Sequence, residues 1–131
     1  MVLCLVSRYR DWLRQAERNY LSAIVNRREG LYEESCYESH QAAEKAIKAL
    51  LSFFNKERRG HSLLYLSHEL GIEASEEVKE CVLLLDKHYI PSRYPNAYDE
   101  GAPADYYTAK DANECIKCAE KILNWVKSVV R

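Results

Sequence analysis

The stretch from Glu33 to Phe54, EESCYESHQAAEKAIKALLSFF, has neither Gly nor Pro over about six helical turns, and it decides the fold. Its apolar and small residues recur every three or four positions, the period of one face of an α-helix. The inward stripe is Cys36, His40, Ala43, Ile47, Leu50 and Phe54. Further alanines beside the stripe allow close approach of neighbouring helices. We expect a central helix that is apolar or small over more than half its circumference, which favours a homodimer.

The same periodicity predicts four further helices. They run from about Leu3 to Asn26, from Ser62 to Leu70, from the N-cap Ser75 to the helix-ending Pro91, and from near Thr108 to the end of the chain. No strand pattern is present in the sequence. The fold class that we predict is all-α, an up-and-down four-helix bundle with one additional short helix, in a single domain over residues 1–131.

The charge balance and the cysteines limit the classes of function. The chain has 19 basic and 20 acidic residues, a net charge of −1, which excludes a bulk basic coat for nucleic acid or membrane. Its apolar start, Val2 to Val6, runs into Arg8 and Arg10 and does not resemble a secretory signal. No apolar run approaches the roughly 18 residues of a membrane span. We expect a cytoplasmic protein with five free thiols and no membrane partner.

One connection between helices is long. The segment from Pro91 to Tyr107, PSRYPNAYDEGAPADYY, predicts a structureless loop, and loops longer than about 12 to 15 residues are usually functional or disordered. Aromatic residues are rare in disordered segments. This loop contains Tyr94, Tyr98, Tyr106 and Tyr107. The segment is therefore a candidate binding site.

Two interpretations of the loop are open. Arg93 offers a planar guanidinium that can hold a phosphate with two hydrogen bonds, while Tyr94 and Tyr98 offer faces for base stacking. Alternatively, Arg93 pairs with Asp99 or Glu100 and the tyrosines hold the loop against the bundle.

Two histidines are further candidates. His40 interrupts the apolar stripe of the central helix, where it could act as an acid or base at a dimer seam or cleft. The alternative is a hydrogen-bonded core residue. His88 precedes Arg93 by about one helical turn and could join the same site, with the same alternative.

No metal or cofactor is expected. Cys115 and Cys118 form a C-x-x-C within a helix, but no second pair at metal-ligand spacing accompanies them, which favours core packing. A Gly-rich phosphate loop, an H-E-x-x-H motif and a G-x-S-x-G motif are all absent from the sequence.

The run HQAAEKAIKAL at His40–Leu50, with His61 and the later IPSRYPNA at 90–97, resembles the HEPN domain family over nearly the whole chain. This resemblance implies an all-helical bundle that forms homodimers. Members of that family are often encoded beside a minimal nucleotidyltransferase, with which they make a toxin–antitoxin pair.

The resemblance also bears on catalysis. Many members are metal-independent ribonucleases in which an Arg is followed four to six residues later by a His, in a cleft at the dimer interface. Arg93 matches the Arg, but Tyr98, Asp99 and Glu100 stand where the His would be. A His is the natural proton carrier near neutral pH. The resemblance therefore implies a non-catalytic member with no catalytic residue.

We accordingly predict a homodimeric module that binds a nucleotide or RNA, or engages a minimal nucleotidyltransferase, without cleaving RNA. The residues expected at the ligand are Arg93, Tyr94, Tyr98, Asp99, His40 and His88. One rival is a divergent metal-independent ribonuclease toxin in which His40 or His88 replaces the missing His. Another is a structural role, with the loop as a dimer clasp.

Overall fold

A computed structural model describes residues 7–131, and this part of the chain contains no strand. The helices are α1 (Tyr9–Arg28), α2 (Tyr32–Phe53), α3 (Leu63–Glu69), α4 (Glu76–Asp86), α5 (Pro103–Tyr106) and α6 (Ala109–Val129). The predicted all-α fold class is confirmed. Within the described range no helix is long and apolar enough to cross a membrane. The predicted start of the first helix at Leu3 lies outside the described residues.

Two of the predicted helix starts are confirmed by their hydrogen bonds. The Ser75 hydroxyl accepts from the Val78 amide at 3.2 Å at the start of α4. Thr108 and Asp111 form a reciprocal capping box at α6, because the Asp111 amide donates to the Thr108 hydroxyl at 3.3 Å and the Thr108 amide donates to the Asp111 carboxylate at 2.9 Å. These contacts satisfy backbone donors that a helix start leaves free.

Helix α2 is the centre of the molecule, as predicted. It packs against α1, α3, α4 and α6, and Ile47, Leu50 and Leu51 are essentially fully buried. Burying a side chain of this size contributes roughly 1.5 to 3 kcal/mol. The neighbouring helices of the same chain cover the apolar circumference of α2. The expectation that α2 leaves an apolar face for a second copy is therefore not supported, and a dimer interface has to be sought elsewhere.

The segment between α4 and α6 is not structureless, so that prediction is wrong. Helix α4 ends at Asp86, before Pro91, and a 3-10 turn over Pro95–Ala97 and then α5 follow. The Tyr98 and Tyr106 rings stack with their centroids 4.0 Å apart. The Tyr98 hydroxyl donates to the Pro91 carbonyl at 2.9 Å. These two tyrosines hold the segment in shape through contacts within the segment, and not through the contacts with the bundle that the sequence suggested as the alternative.

The prediction of five free thiols is wrong for two cysteines. Cys81 of α4 and Cys118 of α6 form a disulfide, with Cα atoms 4.9 Å apart. The spacing of Cys115 and Cys118 along one helix could not reveal this pairing, because the partner comes from another helix. Cys36 and Cys115 are free and buried. Cys4 lies outside the described residues.

Candidate functional site

The guanidinium of Arg93 is held by aromatic rings. Its Cζ atom lies 4.8, 4.2 and 4.6 Å from the ring centroids of Tyr37, Tyr89 and Tyr94. Its Nε donates to the Tyr89 carbonyl at 2.9 Å, and an Nη donates to the Tyr94 hydroxyl at 3.1 Å. Cation–π contacts of this kind contribute about 0.5 to 2 kcal/mol each, depending on exposure. The planar group is therefore fixed in orientation before any ligand arrives.

A carboxylate–imidazole pair lies on the other side of this aromatic group. Glu44 of α2 is only 4% exposed, and its two oxygens accept from His61 Nδ1 at 3.0 Å and from Lys48 Nζ at 3.2 Å. The ionised carboxylate can only accept, so Nδ1 of His61 carries the proton. The His61 side chain is 57% exposed. Its Nε2 forms no hydrogen bond within residues 7–131.

Tyr89 joins these two groups. Its ring stacks on His61, with centroids 5.1 Å apart and an interplanar angle of 20°, and it also carries the Arg93 guanidinium. We call the joined residues the Arg93–His61 cluster. Its members are Tyr37, Glu44, Lys48, His61, Tyr89 and Arg93. The cluster is a chain of contacts that runs from the Arg93 guanidinium through the Tyr89 ring and the His61 imidazole to Glu44 and Lys48.

His40 is a buried residue that supports the cluster from the core. It is fully buried, its Nε2 lies 3.1 Å from an oxygen of Asp86, and its Nδ1 lies 3.3 Å from the Gln41 amide nitrogen. Asp86 also accepts from the amides of Leu63 and Leu64 at the start of α3, at 2.9 and 3.0 Å. Burial alone raises the pKa of Asp86, but the hydrogen bonds from His40 and the two amides hold that pKa below its ordinary value. His40 is a hydrogen-bonded core residue with both nitrogens engaged.

A basic groove begins beside the cluster. It has a volume of about 550 Å³, which falls in the usual range of ligand sites, and it shares Lys48 with the cluster. The Lys48 ammonium lies 5.7 Å from the Trp12 ring centroid in the groove wall. The basic residues that line the groove are Arg8, Lys48, Lys56, Arg58 and Arg59. Three of these cations are partly neutralised, because Arg8, Lys48 and Arg58 pair with Asp11, Glu44 and Glu69 at 3.0, 3.2 and 2.6 Å. Lys56 and Arg59 have no carboxylate partner within residues 7–131 and can attract a polyanion.

Comparison with known protein families gives a match to the HEPN domain over residues 9–129. The chain belongs to the HEPN family. It is also 31% identical to a Methanocaldococcus jannaschii protein named "Putative toxin MJ1304", over 92% of this chain and 86% of that protein.

Solved structures support the same conclusion about the family. TT1696 from Thermus thermophilus has a TM-score of 0.91 and 38% identity, with 94% of this chain and 98% of that chain covered. ST0689, called an archaeal HEPN homologue, has a TM-score of 0.81 and 48% identity, with 96% and 100% covered. An HEPN domain protein of Thermotoga maritima has a TM-score of 0.75 and 28% identity, with 92% and 97% covered.

Only part of the predicted ligand set is brought together in this HEPN structure. Tyr94 contacts Arg93, but Tyr98 packs within its own segment. Asp99 forms no ion pair with Arg93, and neither does Glu100, so the predicted alternative partners of the guanidinium are wrong.

His88 does not join Arg93 either. Its Nδ1 lies 2.7 Å from the Tyr107 hydroxyl, and it faces the buried thiols of Cys36 and Cys115. Burial lowers the pKa of His88 and so favours the neutral imidazole.

The sequence reasoning missed several members of the cluster. In the sequence analysis Glu44, Lys48 and His61 appear only as part of the family resemblance. One signal was available, because Glu44 and Lys48 are four apart in an otherwise alanine-rich stretch and can pair on one helix face. The approach of Tyr37 and Tyr89 to Arg93 depends on the packing of α2 against the end of α4, which no local pattern reveals.

Proposed function

We propose that this HEPN protein binds a phosphate-bearing ligand, a nucleotide or short RNA, through the Arg93–His61 cluster and does not cleave it. The observation that carries this proposal is the state of Arg93. Among residues 7–131 its guanidinium has no carboxylate partner, although three aromatic rings hold it in place. A fixed and unneutralised fork is suited to a phosphate, and the Tyr94 ring beside it, which is 44% exposed, is the candidate for base stacking.

The charge beside the cluster supports a polyanionic ligand, and the name of one relative supports a toxin–antitoxin context. Lys48 lies at the boundary between the cluster and the basic groove, although Glu44 neutralises it. Lys56 and Arg59 in the groove have no carboxylate partner within residues 7–131, so a polyanion at Arg93 can extend toward their positive charge. The relative from Methanocaldococcus jannaschii carries the name "Putative toxin MJ1304". We include in the proposal a homodimer that works in a toxin–antitoxin-like pair with a minimal nucleotidyltransferase, as the family resemblance implies, and a cytoplasmic location.

The surroundings of His40 and His88 support a function without RNA cleavage. At the distance from Arg93 where the family's catalytic His is expected, this chain has Tyr98, Asp99 and Glu100. His40 is buried with both nitrogens engaged, and His88 faces the cysteines. Neither is placed to take a proton from a ligand at Arg93.

One observation favours a second candidate function, RNA cleavage. His61 has Nδ1 held by the buried Glu44 and Nε2 at the surface, the arrangement by which a carboxylate prepares an imidazole as a general base. In this alternative, His61 takes the proton of the ribose 2′-hydroxyl while Arg93 stabilises charge on the attacked phosphate.

A single set of measurements separates these functions. Binding of ATP, GTP and a labelled mixed-sequence RNA is measured with chelator present, and the RNA is then analysed for cleavage. The variants are Arg93→Ala, the charge-conserving control Arg93→Lys, and His61→Asn. Binding that is lost in Arg93→Ala, with intact RNA, supports the proposal. Cleavage that is lost in His61→Asn establishes the second candidate. No binding and no cleavage by the wild type contradicts both.

A further inference from the structure

A second cluster of reactive side chains lies away from the Arg93–His61 cluster. Cys36 of α2, Cys115 of α6 and His88 after α4 place one sulfur or nitrogen atom each within 4.8 Å of one another. None of the three has a role in the proposed ligand binding. We propose that these residues form a buried site for zinc or a similar thiophilic divalent cation.

The spacing of the donor atoms suits such an ion. Tetrahedral zinc with bonds of about 2.3 Å to sulfur and 2.0 to 2.1 Å to nitrogen needs donor atoms about 3.5 to 3.8 Å apart. The three donor atoms lie within 4.8 Å of one another, so shifts of about 1 Å would bring them to these distances. The two sulfurs belong to α2 and α6, which pack directly against each other. The site is therefore largely preformed.

The donor set selects the class of metal. Two thiolates and one imidazole are typical ligands of zinc and of other borderline or soft ions, whereas calcium and magnesium require oxygen ligands. Cys36 and Cys115 are fully buried, and the more accessible His88 offers the side from which an ion enters. Binding releases the two thiol protons. The resulting centre ties α2, α6 and the turn after α4 together.

Tyr107 is the supporting residue of this site. It is 9% exposed, and its hydroxyl lies 2.7 Å from His88 Nδ1. A hydrogen bond of this type fixes the orientation of a ligating imidazole, and its removal weakens metal binding about tenfold to a hundredfold in other sites. We assign this positioning role to Tyr107.

The sequence led us to expect no metal because it has no second pair of ligands close together along the chain. Here Cys118, the sequence neighbour of Cys115 in the C-x-x-C, is bonded to Cys81, and the other ligands come from two distant segments. Spacing along the chain therefore does not test this site.

The test uses the full chain, freed of metal by chelation under reducing conditions. Cobalt is added as a spectroscopic probe, and zinc is measured by competition and by metal analysis after dialysis. We expect one ion per chain, the charge-transfer absorption of thiolate–cobalt bonds, and a melting temperature raised by roughly 5 °C or more at saturating zinc. Magnesium at the same concentration should give none of these changes.

The variants make the assignment specific. Cys36→Ser, Cys115→Ser and His88→Gln should each lower zinc affinity at least a hundredfold, while Tyr107→Phe should lower it about tenfold to a hundredfold. The matched control is the double variant Cys81→Ser with Cys118→Ser, which keeps only the proposed pair of sulfur ligands among residues 7–131 and should bind zinc as the wild type does.

Two results would overturn the proposal. One is the absence of thiolate–cobalt absorption in the reduced wild type. The other is zinc uptake that is lost in the control variant but retained in Cys115→Ser. X-ray absorption of the wild-type zinc complex counts the sulfur ligands of the ion and does not depend on any variant that fails to fold. Fewer than two sulfur ligands would contradict the site.

Discussion

Arg93 and Tyr89 contact each other twice. The guanidinium lies 4.2 Å from the centroid of the Tyr89 ring, and Nε donates to the Tyr89 backbone carbonyl at 2.9 Å. Because one residue supplies both contacts, the fork cannot rotate without losing both. This preorganisation lowers the entropy that a ligand must overcome on binding.

The first prediction concerns Arg93. Arg93→Ala should weaken binding of a phosphate ligand about tenfold to a hundredfold, since a charge-assisted hydrogen bond contributes roughly 1.5 to 3 kcal/mol. It should also lower the free energy of unfolding by about 1 to 2 kcal/mol, because three rings lose their cation. Titration calorimetry and urea denaturation measure the two effects.

The matched control for this prediction is Arg93→Lys. Lysine retains the charge but has neither the planar fork nor its stacking, so we expect an intermediate loss of binding. If Arg93→Ala destabilises the protein while every nucleotide and RNA binds as before, the guanidinium is structural and the proposed role is wrong.

The second prediction concerns Glu44. Glu44→Gln should leave the nucleotide affinity within about threefold of that of the wild type. Glu44 accepts hydrogen bonds from Lys48 and His61 and presents no donor to a phosphate. The free energy of unfolding should fall by about 1 to 3 kcal/mol, since a buried ion pair loses one partner. If RNA cleavage exists, the same substitution should abolish it. Glu34→Gln, an exposed change on the same helix, is the control and should alter neither property.

The third prediction concerns Asp86. Its carboxylate accepts from His40 and from two amides that begin α3, so Asp86→Asn replaces one acceptor by a donor facing N–H groups. We expect the free energy of unfolding to fall by about 1 to 3 kcal/mol, measured by chemical denaturation. Glu80→Gln, exposed on the same helix, should change it by less than about 0.5 kcal/mol. Equal effects of the two changes would show that Asp86 does not hold α3.

The fourth prediction concerns assembly. We expect a homodimer at tens of micromolar that buries on the order of 1,000 Å² in total, by analytical ultracentrifugation. Leu21 and Val25 lie one turn apart on α1 and are 50% and 41% exposed, so we expect them in the interface. Leu21→Glu should shift the protein to monomer. Leu83→Glu, a similarly exposed change on α4, should not, and a wild-type monomer at this concentration contradicts the prediction.

The helices were predictable because their signals are local. The periodic stripe of α2 and the N-caps at Ser75 and Thr108 depend on neighbours within one or two turns. Helix α5 was missed, although its sequence has a local signal, since Pro103 occupies the first turn and Asp105 accepts from the Ala102 amide at 2.9 Å. A short helix of four residues has too little periodicity to be detected.

The site was only partly predictable for a different reason. Arg93 was found because a basic, planar group in a tyrosine-rich segment suggests binding by its chemistry alone. Of its three aromatic partners only Tyr94 belongs to that segment, while Tyr37 lies on α2 and Tyr89 in the turn after α4. The Glu44–His61 pair likewise joins two separate elements. Such pairings depend on how helices cross, which a one-dimensional pattern does not contain.

The disulfide between Cys81 and Cys118 encloses the whole segment that carries Arg93 in a covalent ring. A protease that nicks the exposed stretch near Asp99 and Glu100 would therefore release no fragment, because the two pieces of chain stay tethered through α4 and α6. A nicked molecule would migrate as one band on a non-reducing gel and as two bands after reduction. The bond thus allows the binding segment to be cut without being lost from the molecule.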